Sequence, residues 1–359
     1  MLSLPLTATT SAPATRLATL ATLVAALNWP VPAPAQPATP ASAPATATVA
    51  ATSAAMPVSK AYTVVKASLP CQQTTCDAEL WLPLQPAGAP KPAVIIMAHG
   101  FGALKEWGLP AFAERFVAAG FAVLRFDYRG FGRSGGQPRR VVDGKEHVKD
   151  WLSVIDAVSK RPDVDGNRLG IWGSSYSGGQ VLVAGAERPG VVKAVSAQVP
   201  FVNGLSSSLQ FPLKYHPLAG WYALRDMLRS DTQEPLYVPT IAAGAFSALI
   251  CDECAQGYKT LVPAGASEAE NRVAARVFLT LPFFNPGSRA KDIQAPTLII
   301  AADNDGLIPV AKVRETAQAL PHGEYLELKG ANHFSPYTGP LFEQVVRRQT
   351  AFFVKNLLP

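Results

Sequence analysis

Apolar residues along this chain gather into short unbroken runs, with segments of helical spacing between them. The run Ala93 to Ala98 lies between a Pro-rich turn and His99-Gly100, the pattern of a strand buried on both faces. Phe121 to Phe126, Arg168 to Trp172, Val192 to Gln198, Thr297 to Ala302 and Glu324 to Leu328 read as further strands. Tyr62 to Lys66 and Glu79 to Leu82 read as two opening ones. Pro110 to Ala119 has helix spacing and stops at Gly120. Lys145 to Lys160 places Val148, Leu152, Ile155 and Val158 on one helical face. Ser175 to Glu187, Val310 to Leu320 and Pro340 to Leu358 complete the predicted helices. Alternating strands and helices imply an α/β fold: a mostly parallel central sheet with helices on both faces. In such a sheet the chemistry collects just after the carboxyl ends of the strands.

The rhythm breaks once. Roughly a hundred residues separate Gln198 from Thr297, where a crossover needs about a dozen. This stretch is rich in aromatics, among them Phe201, Phe211, Tyr222, Phe246, Tyr258 and Phe278. Residues 200–290 are expected to form a cap over the carboxyl edge of the sheet. Most of its aromatics are expected to fill the cap's own core and a minority to line a pocket.

Composition narrows the picture. Apolar residues make up 48% and charged residues 16%, which supports a large core and excludes wholesale disorder. The net charge is +6, but the basic residues are scattered, unlike a nucleic-acid footprint. No apolar run reaches 18 residues, so no stable membrane span is expected. The five His and four Cys are not bunched into a metal signature, and no cofactor is expected. The first 57 residues contain a single charge, Arg16. Arg16, the apolar run Leu17 to Trp29 and the small pair Ala33 and Ala35 follow the order of a secretory signal peptide over residues 1–35. Residues 36–57 are mostly Ala, Pro and Thr, too poor in large apolar surface to fold, and read as a linker. The folded domain is then 58–359, and the protein is expected to be exported, to the periplasm or the medium.

Candidate chemistry sits where the strands end. After Trp172 comes Gly173-Ser174-Ser175-Tyr176-Ser177-Gly178-Gly179, leading into a helix. A Ser between strand and helix with small residues two positions to either side is a nucleophile elbow, here centred on Ser175. Ser174 would face the sheet edge, and Ser177 already lies in the helix. A Ser hydroxyl needs a base to take its proton. Of the five His, His333 follows the strand ending at Leu328 on the active edge. His147 lies mid-helix and is expected at the surface, His216 in the cap, His322 at the opposite edge, and His99 as a buried loop residue. The acid belongs after Ala302, in Asp303-Asn304-Asp305-Gly306. Asp305 is favoured to orient His333, and Asp303 to hold loop backbone. Two backbone donors for an oxyanion are expected from Phe101 and Tyr176.

These segments, namely His99 to Gly102, Phe126 to Gly136, Trp172 to Gly179, Asp303 to Pro309 and Gly330 to Phe334, resemble the α/β-hydrolase superfamily over nearly all of 60–358. The elbow and the stretch from His99 to Pro110 are similar to a capped branch grouped with acyl esterases and X-Pro dipeptidyl-peptidase-like hydrolases. Fungal relatives in that branch are acyl transferases of polyketides. Two positions depart from the pattern: Asn332 precedes the His and Ser177 follows the nucleophile, both where Gly is usual. In an exported chain the close pairs Cys71/Cys76 and Cys251/Cys254 are most simply two local disulfides, one of three connectivities.

The expectation is an exported serine hydrolase that cleaves a small-molecule carboxylic ester through an acyl-enzyme on Ser175. The aromatic cap suggests an apolar acyl or aryl group. Acyl transfer or amide cleavage with the same residues is the first alternative. A binding protein on a hydrolase fold is the second, and it would require a missing catalytic side chain.

Overall fold

The computed structural model describes residues 62–230 and 232–359. The expected signal peptide and the linker up to residue 57 lie outside them.

The chain opens with β1 (Tyr62–Cys71) and β2 (Thr74–Pro83), a long antiparallel hairpin. β3 (Ala93–Ala98), α1 (Pro110–Ala118), β4 (Ala122–Phe126), α2 (Gly144–Val158), β5 (Asp165–Ser174), α3 (Tyr176–Glu187) and β6 (Val192–Gln198) then alternate. An excursion carries α4 (Gly204–Ser208), α5 (His216–Met227), β7 (Tyr237–Pro239), α6 (Cys254–Leu261), β8 (Arg272–Ala274) and α7 (Val277–Thr280). β9 (Thr297–Ala302), α8 (Val310–Gln318), β10 (Gly323–Leu328) and α9 (Gly339–Leu357) close the fold. The sheet has eight strands in the order β1-β2-β4-β3-β5-β6-β9-β10. From β4 to β10 every pairing is parallel, and β2 pairs antiparallel with β4.

The period of a strand explains the layering. In β3 every residue is buried. Val94, Ile96 and Ala98 join one core, with Trp151 and Val154 of α2 and Val181 of α3. Ala93, Ile95 and Met97 join the other, with Phe112 of α1 and Phe353 of α9. Alternate side chains therefore feed opposite layers. Aromatic edges knit α1 to α9: Phe112 meets Phe342 at 4.9 Å and Phe116 meets Phe353 at 5.5 Å. Asp143 caps α2 by accepting from the amides of Lys145 and Glu146 at 2.9 and 3.0 Å.

Two sequence expectations need correction. The opening strands run ten residues each rather than five and four. Much of β1 is exposed, so ladder pairing and not burial holds its ends, and apolar patterning shows only part of it. His147 is buried, not at the surface. It stacks on Tyr128 with ring centroids 4.2 Å apart, because α2 is covered on more than the one face that its aliphatic residues marked.

The Cys71–Cys76 disulfide spans the β1–β2 turn, and Cys251–Cys254 closes the entry to α6. Among the described residues, no helix is long and apolar enough to cross a membrane.

Candidate active site

Ser175 stands between β5 and α3 with φ 57° and ψ −120°, a conformation that side-chain-bearing residues rarely adopt. Its amide donates to the Gln198 carbonyl at 2.9 Å, and its carbonyl accepts from the Phe201 amide at 2.9 Å. The end of β6 thus braces the bend. A Cβ at Gly173 would lie 2.3 Å from the Ser177 carbonyl oxygen, which is why the position two before the nucleophile carries no side chain. At Ser177 the hydroxyl is buried and accepts from Tyr128 Oη at 3.0 Å, so the residue that departs from the usual Gly anchors the first turn of α3. Ser174 is turned away: its Oγ meets Tyr337 Oη at 2.5 Å and Gln198 Nε2 at 3.1 Å.

Two loops at the far end of the sheet meet this bend. His333 Nε2 lies 2.9 Å from Ser175 Oγ, and His333 Nδ1 lies 2.6 Å from Asp305 Oδ2. The other carboxylate oxygen of Asp305 accepts from the amides of Leu307 and Ile308 at 2.9 and 2.8 Å. A proton on Nδ1 shared with Asp305 leaves Nε2 free to accept from the hydroxyl. Asp303 takes the other course: its Oδ1 accepts from the Ala331 amide at 3.2 Å and ties the acid loop to the histidine loop. Asn332 folds the turn after His333, its side-chain oxygen accepting from the amides of Phe334 and Ser335, both at 3.0 Å.

The loop after β3 brings Phe101 beside Ser175 and Tyr176 on the wall of one cavity. Tyr176 is the first residue of α3, where amides have no partner within the helix. Buried charge holds this loop from below. Lys105 is buried, and its Nζ donates to Asp77, Glu106 and Asp127 at 2.6, 2.7 and 3.0 Å. Burial works against its charge, but Asp127, Asp77 and Glu106 outweigh that and hold its pKa above the usual lysine range. Arg140 spans from Gly102, whose carbonyl it meets at 3.1 Å, to the Arg272 carbonyl in β8 at 3.0 Å. His99 is buried, with Nδ1 donating to the Gly100 carbonyl at 2.9 Å, and burial depresses its pKa to about 3.

Sequence reasoning missed the contribution of α6. Tyr258 Oη donates to the Phe101 carbonyl at 3.1 Å. Glu253, just before the helix, accepts from the Gly306 amide at 3.0 Å, one residue past Asp305. A Cβ at Gly257 would come within 2.3 Å of the Phe334 ring, so the helix rests directly on the residue after His333. One short helix touches all three loops. The closely spaced Cys251 and Cys254 marked the segment in the sequence, but nothing there disclosed what it touches.

Two cavities open on Ser175. The larger, about 270 Å³, is walled by Phe101 and Tyr176 and by residues between β6 and β9 that include Phe201, Phe211, Phe278 and Leu281. The smaller, about 20 Å³, is walled by His333, Trp107, Tyr258, Leu261 and Tyr337. Tyr222 and Phe246, of the same excursion, instead stack on one another at 5.6 Å.

A parallel sheet with a serine on a strained strand-to-helix bend defines an α/β-hydrolase. Residues 73–235 match the family model described as X-Pro dipeptidyl-peptidase (S15 family). The quorum-quenching protein AidA of Acinetobacter baumannii is 39% identical over 287 residues, spanning 79% of this chain and 92% of that protein. The polyketide transferase grgF of a Penicillium species is 25% identical over 277 residues, 76% of this chain and 91% of that one. The crystal structure of hypothetical protein PA2218 from Pseudomonas aeruginosa aligns with a TM-score of 0.69 at 24% identity, over 84% of this chain and 96% of that one. The chain belongs to the X-Pro dipeptidyl-peptidase-like branch of the α/β-hydrolase superfamily, and by family it is a hydrolase.

Proposed function

We propose that the protein is a serine hydrolase that cleaves a small-molecule carboxylic ester through an acyl-enzyme. The observation that carries this reading is the hydrogen-bonded chain from Ser175 through His333 to Asp305 at 2.9 and 2.6 Å, opening on an apolar cavity. His333 takes the Ser175 proton as the hydroxyl attacks the acyl carbon, and returns it to the leaving alkoxide as the carbon–oxygen bond breaks. Asp305 holds the ring tautomer and stabilises the imidazolium. The amides of Phe101 and Tyr176 receive the oxyanion, each worth roughly 2.7–4 kcal/mol in comparable sites. Water then repeats the cycle on the acyl-enzyme. None of these steps calls on a cofactor. The likeness to a quorum-quenching protein fits a small diffusible substrate.

The test is covalent labelling with a fluorophosphonate. Ser175→Ala is expected to abolish the labelling that the wild type shows; labelling that persists assigns the nucleophile elsewhere.

A second reading keeps these residues and changes the acceptor. The likeness to a polyketide transferase favours acyl transfer to an alcohol or amine in place of water, and product analysis with added acceptors separates the two.

We also propose that the chain is exported. The leader pattern of residues 1–35 and the two local disulfides support this. Amino-terminal sequencing of the protein from its native cell is expected to begin near Gln36; a chain that still carries Met1 in the cytosol would overturn it.

A further inference from the structure

The two cavities on Ser175 are unequal, and the side on which His333 lies assigns them. When the tetrahedral intermediate collapses, the bond from the acyl carbon to the leaving oxygen breaks. That oxygen takes the proton from His333 Nε2, so it must lie within hydrogen-bond reach of the ring. The oxyanion points instead to the amides of Phe101 and Tyr176. His333 walls the smaller cavity, and it is not among the described residues that wall the larger one. Phe101 and Ser175 wall both cavities, but Tyr176 walls the larger one and not the smaller, together with Phe211, Phe278 and Leu281 of the excursion.

We infer that the large cavity holds the acyl chain and the small one the alcohol, so that the substrates are esters of extended apolar acids with small alcohols. This rests on the reading of Ser175 as nucleophile and deepens it. The space beside His333, about 20 Å³, is on the scale of a water or a methyl group. Trp107, Tyr258 and Leu261 bound it, and Trp107 and Tyr258 brace each other edge to face at 6.0 Å. A methoxy group matches that space, and a butoxy group is expected to be disfavoured by these walls. Water, the second substrate, enters by the same side. It adds its oxygen to the acyl carbon and gives one proton to His333, which passes it to Ser175 Oγ as that oxygen departs. The same confinement works against bulky acyl acceptors and favours hydrolysis over transfer.

The experiment uses the purified protein and follows acid release by pH titration. Along methyl esters from acetate to octanoate, kcat/KM is expected to rise about tenfold or more. Along octanoate esters from methyl to butyl, it is expected to fall about tenfold or more, since even one methylene is worth roughly that much in a tight pocket. Leu261→Ala is expected to recover butyl ester cleavage relative to methyl and to leave the acyl series as it was. Phe278→Ala is expected to flatten the acyl series alone. An alcohol series that is flat or rising, or a butyl-to-methyl ratio that Leu261→Ala leaves unchanged, overturns the assignment. Fluorophosphonate labelling run alongside separates the two failures. If Ser175 is labelled but the series shows no asymmetry, only the assignment of the cavities falls; if Ser175 is not labelled, the reading of the nucleophile falls first.

Discussion

Four of the chain's histidines show how one side chain is put to different uses. His333 is held between a carboxylate and a hydroxyl, while His99 and His147 are buried, His99 with Asp127 Oδ1 3.6 Å from its Nε2. His322 lies exposed on the connection into β10. Burial lowers the pKa of His99 to about 3 and that of His147 well below its ordinary 6.5. Both rings regain their ordinary affinity for protons on unfolding, so between about pH 6.5 and 3 the unfolded chain binds more protons than the native one. The stability these neutral rings contribute is complete above about pH 6.5 and is lost as the pH falls through that window. Each histidine adds up to about 1.4 kcal/mol per pH unit. Denaturant melts at a series of pH values are expected to show this slope, and His147→Gln, which does not titrate, to reduce it by up to one proton. An unchanged slope in the variant would mean that His147 is not the group responsible. At this scale the sequence was most legible. Ser175, Asp305 and His333 sit in short motifs whose order along the chain implies their meeting, and Asp303 reads as a backbone tether because it lies closer to the strand end, where Asp holds turn backbone. The burial of His147 was not legible, since it depends on Tyr128, which belongs to a different loop.

At the scale of elements, the strands of the sheet were readable because a strand covered on both faces is almost wholly apolar, as β3 and, after Thr297, β9 are. Short helices of the excursion follow no such rule. α6 is eight residues long, and its value lies in three contacts with other loops. Its Tyr258 donates to the carbonyl of Phe101, the residue whose amide is proposed to receive the oxyanion. Tyr258→Phe removes that bond and keeps the ring. The variant is expected to lower kcat by about two- to tenfold, the span of a single hydrogen bond, with KM nearly unchanged, because the oxyanion exists only in the transition state. Steady-state kinetics on one ester checks this. A rise in KM at constant kcat would mean that the hydroxyl acts through the cavity wall that Tyr258 also forms, and not through the loop of Phe101.

Taken as a whole, the molecule sets two aromatic layers against one sheet and places its reactive loops where the strands end. A mostly parallel sheet could be reasoned from the alternation, and an insertion from its single interruption, but the strand order could not. The two cavities could not, because their unequal size arises from side chains contributed by eight separate segments. Rigidity of that scaffold is what permits Ser175 to remain at φ 57°. A non-glycine residue there costs on the order of 1–3 kcal/mol, which the rest of the fold must supply. Glycine adopts this conformation freely. Ser175→Gly is therefore expected to melt at a higher temperature than the wild type in differential scanning calorimetry while taking up no fluorophosphonate, and a lower melting temperature would show that the bend is not strained. The inert enzyme would be the sturdier one. Durability alone would favour glycine at this sharpest corner, so the proposed chemistry of Ser175 would come at the expense of the fold that carries it.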